Sequence, residues 1–187
     1  MQRRRYLAGT SVAFAAGLAG CGGGDGAGAD SGFSLTATAF ADGGTIPARY
    51  TCEGGDVNPE LTIDGVPDDA ETLALVVDDP DAGDQPYVHW LLWNVPVSTT
   101  TIPRSVSKTE RPPFAEGARQ GTNSAGEIGY MGPCPPVGDE PHRYRFRLSA
   151  VGTTLDLDAG AGRGELDDAL SGAVVDEVTL TGRYGRD

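Results

Sequence analysis

Both histidines of the chain lie in clusters of residue types that bind anions or move protons. The first cluster is Asp78-Asp79-Pro80-Asp81-Ala82, followed by Val88-His89-Trp90 and Asn94-Val95-Pro96. The second runs from Gly129-Tyr130-Met131 through Gly132-Pro133-Cys134-Pro135-Pro136-Val137-Gly138 to Pro141-His142-Arg143-Tyr144. An imidazole titrates near neutrality, and one oriented by a carboxylate can donate to an anionic oxygen or act as a base. Asp79 and Asp81 fall at a strand end, where Pro80 stops the ladder. The short turn between that strand and the next makes Asp79 and His89 an expected pair. In the second cluster the prolines fix φ and remove donors, so the segment reads as a rigid wall rather than a phosphate-cradling nest. On the strand that follows, His142 and Tyr144 face one side and Arg143 the other, where it is expected to meet a local acid. The bland alternative is that each histidine is a satisfied structural residue. Two clusters in a chain with only two histidines favour one small polar pocket for an anionic head such as phosphate or carboxylate.

An enzyme is the weaker reading. There is no Gly-x-Ser-x-Gly elbow, and serine is scarce near either cluster. His89, His142 and Asp79 match no strong metal-binding spacing, so no catalytic residue, metal or cofactor is expected.

The elements that must position these residues read mostly as β. Phe33 to Phe40 alternates with period two, and Asp42-Gly43-Gly44 is a turn. Ile46 to Tyr50 and Leu61-Thr62-Ile63 suit short strands. Thr72 to Val77 is a near-continuous apolar run, expected in a central strand. Val88 to Val95 carries both Trp residues. Arg143 to Val151 alternates, with Arg145 and Arg147 expected on a wet face and Phe146 and Leu148 on a packed one. Val174 to Tyr184 ends the domain. Leu166, Ala169 and Leu170 mark one helix, over 165–170, stopped by Gly172. Residues 97–138 are rich in Pro and Gly, and a loop of that length in a compact domain is usually functional. The fold class is an antiparallel β-sandwich with a short C-terminal helix.

The ends bound the location. Arg3-Arg4-Arg5, an apolar run from Val12 to Leu18, and Leu18-Ala19-Gly20-Cys21 read as an export signal. Residues 1–20 resemble a twin-arginine lipoprotein signal, with Cys21 as the lipidated first residue; a plain cleaved signal is the alternative. Residues 21–32 form a Gly/Ala/Asp-rich tether, and 33–187 one domain. The signal carries three Arg and no acid, so its removal takes the formal charge from −13 to −16. Lys108 is the chain's lone lysine. Such acidity suits high-salt surroundings, with an unusually acidic mesophile protein as the alternative, and argues against nucleic-acid binding. Cys52 and Cys134 remain for a disulfide in an oxidising space, with two buried free thiols as the alternative.

Four ordered motifs carry a family resemblance: Asp79-Pro80-Asp81-Ala82, His89-Trp90 with Asn94-Val95-Pro96, Gly132 to Gly138, and His142-Arg143-Tyr144. Weaker matches are Tyr50-Thr51-Cys52, Asn58-Pro59-Glu60-Leu61 and Leu180 to Tyr184. Over residues 33–187 the domain resembles the phosphatidylethanolamine-binding protein family, in its Raf-kinase-inhibitor-like bacterial and archaeal branch. The resemblance implies a large central antiparallel sheet packed on a smaller one. It also implies a small pocket for phosphate-like anions, including the phosphoethanolamine head, lined by Asp79, His89, Pro135, Pro136, His142 and Tyr144. Ile63 and Ala173 depart from the family pattern, the second removing a histidine that many members carry. The reading is therefore a non-enzymatic binding domain, tethered to the membrane through Cys21, for a small anionic ligand. The alternative is an inhibitor of an extracellular serine protease, a protein partner met by the 97–130 loop.

Overall fold

The computed structural model describes residues 32–187; the export signal, Cys21 and residues 22–31 of the tether lie outside the described residues. Two antiparallel sheets form the domain. The smaller has the order β1-β2-β5, from Ser34–Ala37, Leu61–Asp64 and Thr101–Ile102. The larger has the order β6-β4-β3-β7-β8, from Arg119–Gln120, Tyr87–Pro96, Thr72–Asp79, His142–Val151 and Val174–Tyr184. Helix α1, Arg163–Leu170, covers the face of the large sheet turned away from the small one.

The unbroken apolar run of β3 places it between β4 and β7, with all eight residues buried. Its alternate side chains feed two cores. Leu73, Leu75 and Val77 join Trp90, Phe146 and Leu148 against Leu35, Leu61 and Ile63 of the small sheet. Ala74 and Val76 join Leu91, Trp93 and Leu155 against Leu166 of α1.

Two expectations need correction. The strand over Ile46–Tyr50 is a 3-10 turn, Ala48–Tyr50, preceded by a lone bridge from Thr45 to Arg183. Pro47 has no N–H to extend that bridge into a ladder. Arg145 and Arg147 do not face open water. They are half-buried on the α1 side, where Arg145, Arg147 and Arg163 converge on the fully buried Asp78 carboxylate. Burial alone would raise Asp78, but the three guanidinium groups outweigh it and hold the acid below its usual range.

Beyond the short strands β5 and β6, side-chain amides help to order the 97–138 segment. Gln120 accepts from Trp90 Nε1 at 2.6 Å and donates to the carbonyls of Ser107 and Thr109 at 2.8 and 2.6 Å. Asn123 donates to Gly129 O at 3.1 Å and accepts from the amides of Ala125 and Glu127. Buried polar groups find partners in this way where periodic structure is absent.

Candidate anion-binding site

A break in register at the end of β3 and β4 shapes the site. Val77 pairs with Trp90 and Asp78 with Val88, so His89 is the extra residue of a β-bulge. Val88 packs on the α1 side and Trp90 on the small-sheet side. The bulge lets His89 share the face of Trp90, and its ring meets the edge of Tyr144 at a centroid distance of 5.2 Å.

A cavity of about 330 Å³ opens there. All seven residues expected at the site, Asp79, Asp81, His89, Pro135, Pro136, His142 and Tyr144, line it. The expected pairing of Asp79 with His89 is not what forms. Asp79, 3% exposed, accepts from His142 Nδ1 at 2.8 Å through one oxygen and from the Asp81 amide at 2.8 Å through the other. His89, 4% exposed, gives its Nδ1 proton to the Met131 carbonyl at 2.8 Å, while the Met131 amide donates to His89 O at 2.9 Å. A carbonyl and a carboxylate only accept, so both rings carry hydrogen on Nδ1 and turn Nε2 to other use.

Asp81 borders the cavity but its carboxylate is committed. Arg143 reaches it through Nε at 2.9 Å, Nη2 at 2.6 Å and its own amide at 2.8 Å, and these bonds lower the acid to about 2. Arg143 faces outward to an acid, as expected.

Burial pushes His89 below the ordinary histidine value, opposed by the Met131 carbonyl and the Asp79 charge. Burial also drives the Tyr144 phenol far above its ordinary value, with Asp79 adding to the shift. Tyr144 thus stays protonated, and its buried hydroxyl, though near Asp79, makes no well-formed hydrogen bond within the protein. Two imidazoles and a phenol can therefore offer hydrogen-bonding atoms to one small oxyanion.

The opposite wall is fixed from behind. The Gly132 amide donates to Asp56 at 2.6 Å, the Cys52 amide to Pro133 O at 3.1 Å, and Arg186 to Pro135 O at 3.3 Å. Cys52 and Cys134 form a disulfide. Any side chain at Gly132 would strike Tyr50 O at 2.6 Å, so the wall approaches only because a glycine stands there.

Tyr87, Met131 and Asp139 also line the cavity and were not anticipated. Tyr87 had a signal: it lies two residues before His89 and so on the same strand face. Met131 arrives through the His89 pairing, and Asp139 through a loop with no periodicity. Asp139 stands 3.8 Å from His142 Nε2.

The family model for phosphatidylethanolamine-binding protein matches residues 36–185. The chain belongs to that family. A UPF0098 protein of Methanothermobacter thermautotrophicus is 45% identical over 82% of this chain and 99% of its own length. A UPF0098 protein of Aquifex aeolicus is 35% identical over 79% of this chain and 85% of its own. Among solved structures, E. coli YbcL, named as a member of the mammalian PEBP family, has a TM-score of 0.78 at 30% identity, covering 83% of this chain and 99% of that one. A PEBP homolog of Chlamydia trachomatis has a TM-score of 0.74 at 34% identity, covering 83% and 98%. The PEBP-family likeness thus spans both sheets and both halves of the cavity.

Proposed function

We propose that this PEBP-family protein is a non-enzymatic binding protein for a small anion, phosphate or a phosphoethanolamine-like group, held outside the cell by a lipid on Cys21. One observation carries the reading: the buried Tyr144 hydroxyl makes no well-formed hydrogen bond within the described protein, and it lines the same cavity as His89, whose Nδ1 is spent on Met131. A buried hydroxyl without a well-formed bond is costly, and an oxyanion can accept from it. His142, held through Nδ1 by Asp79, gives a third contact. The absence of a serine or free thiol among the lining residues argues against acyl transfer. The lipoprotein-like signal supports the tether.

Calorimetric titration with phosphate and with phosphoethanolamine tests the site. Saturable binding is expected, and His89→Ala should weaken it roughly tenfold or more, the worth of one charge-assisted hydrogen bond. No saturation in a folded protein would sink the reading. Cys21→Ala should release the protein from membranes; retention there would remove the lipid anchor.

A further inference from the structure

The disulfide that backs the pocket wall is open to solvent: Cys52 and Cys134 are both exposed. Cys134 is itself a lining residue and leads directly into Pro135 and Pro136. The two sulfurs differ in one respect. Arg186 Nη1 donates to Cys134 Sγ at 3.7 Å, and among the described residues the Cys52 sulfur has no such neighbour. Arg186 is held in place by Glu53 at 3.3 Å and by its bond to Pro135 O. A cation beside a sulfur stabilises its thiolate, and in thiol–disulfide exchange the better-stabilised thiolate leaves faster.

We propose that Cys52–Cys134 is an exchangeable disulfide, opened by an external dithiol at Cys52, and that its opening unfastens the wall of the anion pocket. The second half rests on the binding reading above. A thiolate of the dithiol attacks Cys52 Sγ; the S–S bond breaks and its electron pair departs on Cys134 Sγ, beside Arg186. The second thiol then attacks the dithiol's own sulfur in the mixed disulfide and expels Cys52 as a thiolate. Two electrons pass to the protein, the dithiol becomes a disulfide, and its two protons end on Cys52 and Cys134. The wall keeps its backbone bonds from Gly132 to Asp56 and from Cys52 to Pro133, but loses its covalent tie at the residue bordering Pro135.

The test uses the full chain with Cys21→Ser, so that no third thiol interferes. Brief exposure of the oxidised, folded protein to 2-mercaptoethanol, an iodoacetamide quench and peptide mapping locate the adduct. The adduct is expected on Cys52 and the alkylated thiol on Cys134, in about threefold or greater excess over the reverse, with Arg186→Gln bringing the ratio towards one. Phosphate affinity should fall about threefold or more after reduction by dithiothreitol and return on re-oxidation. A bond inert to millimolar thiol, an adduct shared equally, or an affinity unchanged by reduction would each overturn the proposal. If the oxidised protein binds no phosphate, the binding reading itself has failed, and the peptide map still decides whether the bond exchanges.

Discussion

His142 Nδ1 lies 2.8 Å from a buried carboxylate oxygen of Asp79, whereas His89 Nδ1 lies 2.8 Å from the neutral carbonyl of Met131. The two imidazoles that line one cavity are therefore supported differently. The first has a carboxylate at its back. The second has only a peptide dipole, and burial favours its neutral form. The cavity thus pairs a ring held by a carboxylate with a buried ring whose neutral form is favoured.

Proton uptake on binding follows. With sulfate, whose charge is constant across the range, affinity should rise as pH falls through the region below 6.5, the unperturbed value from which His89 is lowered. The linkage has a stability counterpart. The unfolded chain binds more protons at this residue than the empty fold, so the empty protein loses His89-dependent stability as pH falls below 6.5. Sulfate should therefore raise the Tm more at pH 5.5 than at pH 7.5, and the difference should shrink in His89→Gln. A pH-independent sulfate increment would refute the linkage.

Tyr144→Phe separates binding from folding. The lost hydroxyl makes no well-formed bond in the empty protein, so stability should hold within about 1 kcal/mol or improve. Anion affinity should fall roughly tenfold, because a hydrogen bond to a charged group goes with it. Urea unfolding and calorimetry on the same variant read both effects. A clear loss of stability would mean that the phenol is structural.

His142→Ala should cost folding dearly. It strips Asp79, 3% exposed, of its imidazole and leaves the Asp81 amide as its remaining donor. About 2–4 kcal/mol is expected, and His142→Ala with Asp79→Ala should recover part of it, since no buried charge is then stranded. Strict additivity in that cycle would deny the coupling.

Asp78→Asn tests the other side of the sheet. It leaves Arg145, Arg147 and Arg163 facing one another without their shared carboxylate. A loss of about 3–5 kcal/mol is expected, with α1 the first element to exchange its amides, while anion affinity changes by no more than about twofold. The wild-type advantage should be complete above 3.8, the unfolded value for the acid, and vanish as pH falls through the lower folded value. A large change in affinity would show that Asp78 acts on the cavity after all.

The sequence made the two-sheet architecture and the seven lining residues legible because the signals were local or ordered. The apolar run of Thr72 to Val77, the His142-x-Tyr144 alternation and the proline wall each state their own geometry. What it hid depends on partners distant in the chain. Asp78 and Asp79 are adjacent, yet one turns to α1 and the other to the cavity, a consequence of strand alternation once β3 runs on through both. The pairing of Asp79 with His142 rather than His89 required knowing that β7 joins β3 opposite β4. Much of the order of residues 97–138 beyond β5 and β6 comes through Gln120 and Asn123, whose amides carry no periodic signature.

The bulge at His89 separates scaffold from ligand in a way that bears on descent. Tyr87, Val88 and Trp90 already alternate between the two faces if His89 is skipped. Deleting that single codon would remove the register break at this end of the pair with β3, while taking the imidazole away. A lineage can thus lose the His89 ring in one step and retain the framework, so a descendant with this fold and no break between Val77 and Asp78 would keep the scaffold and give up the imidazole.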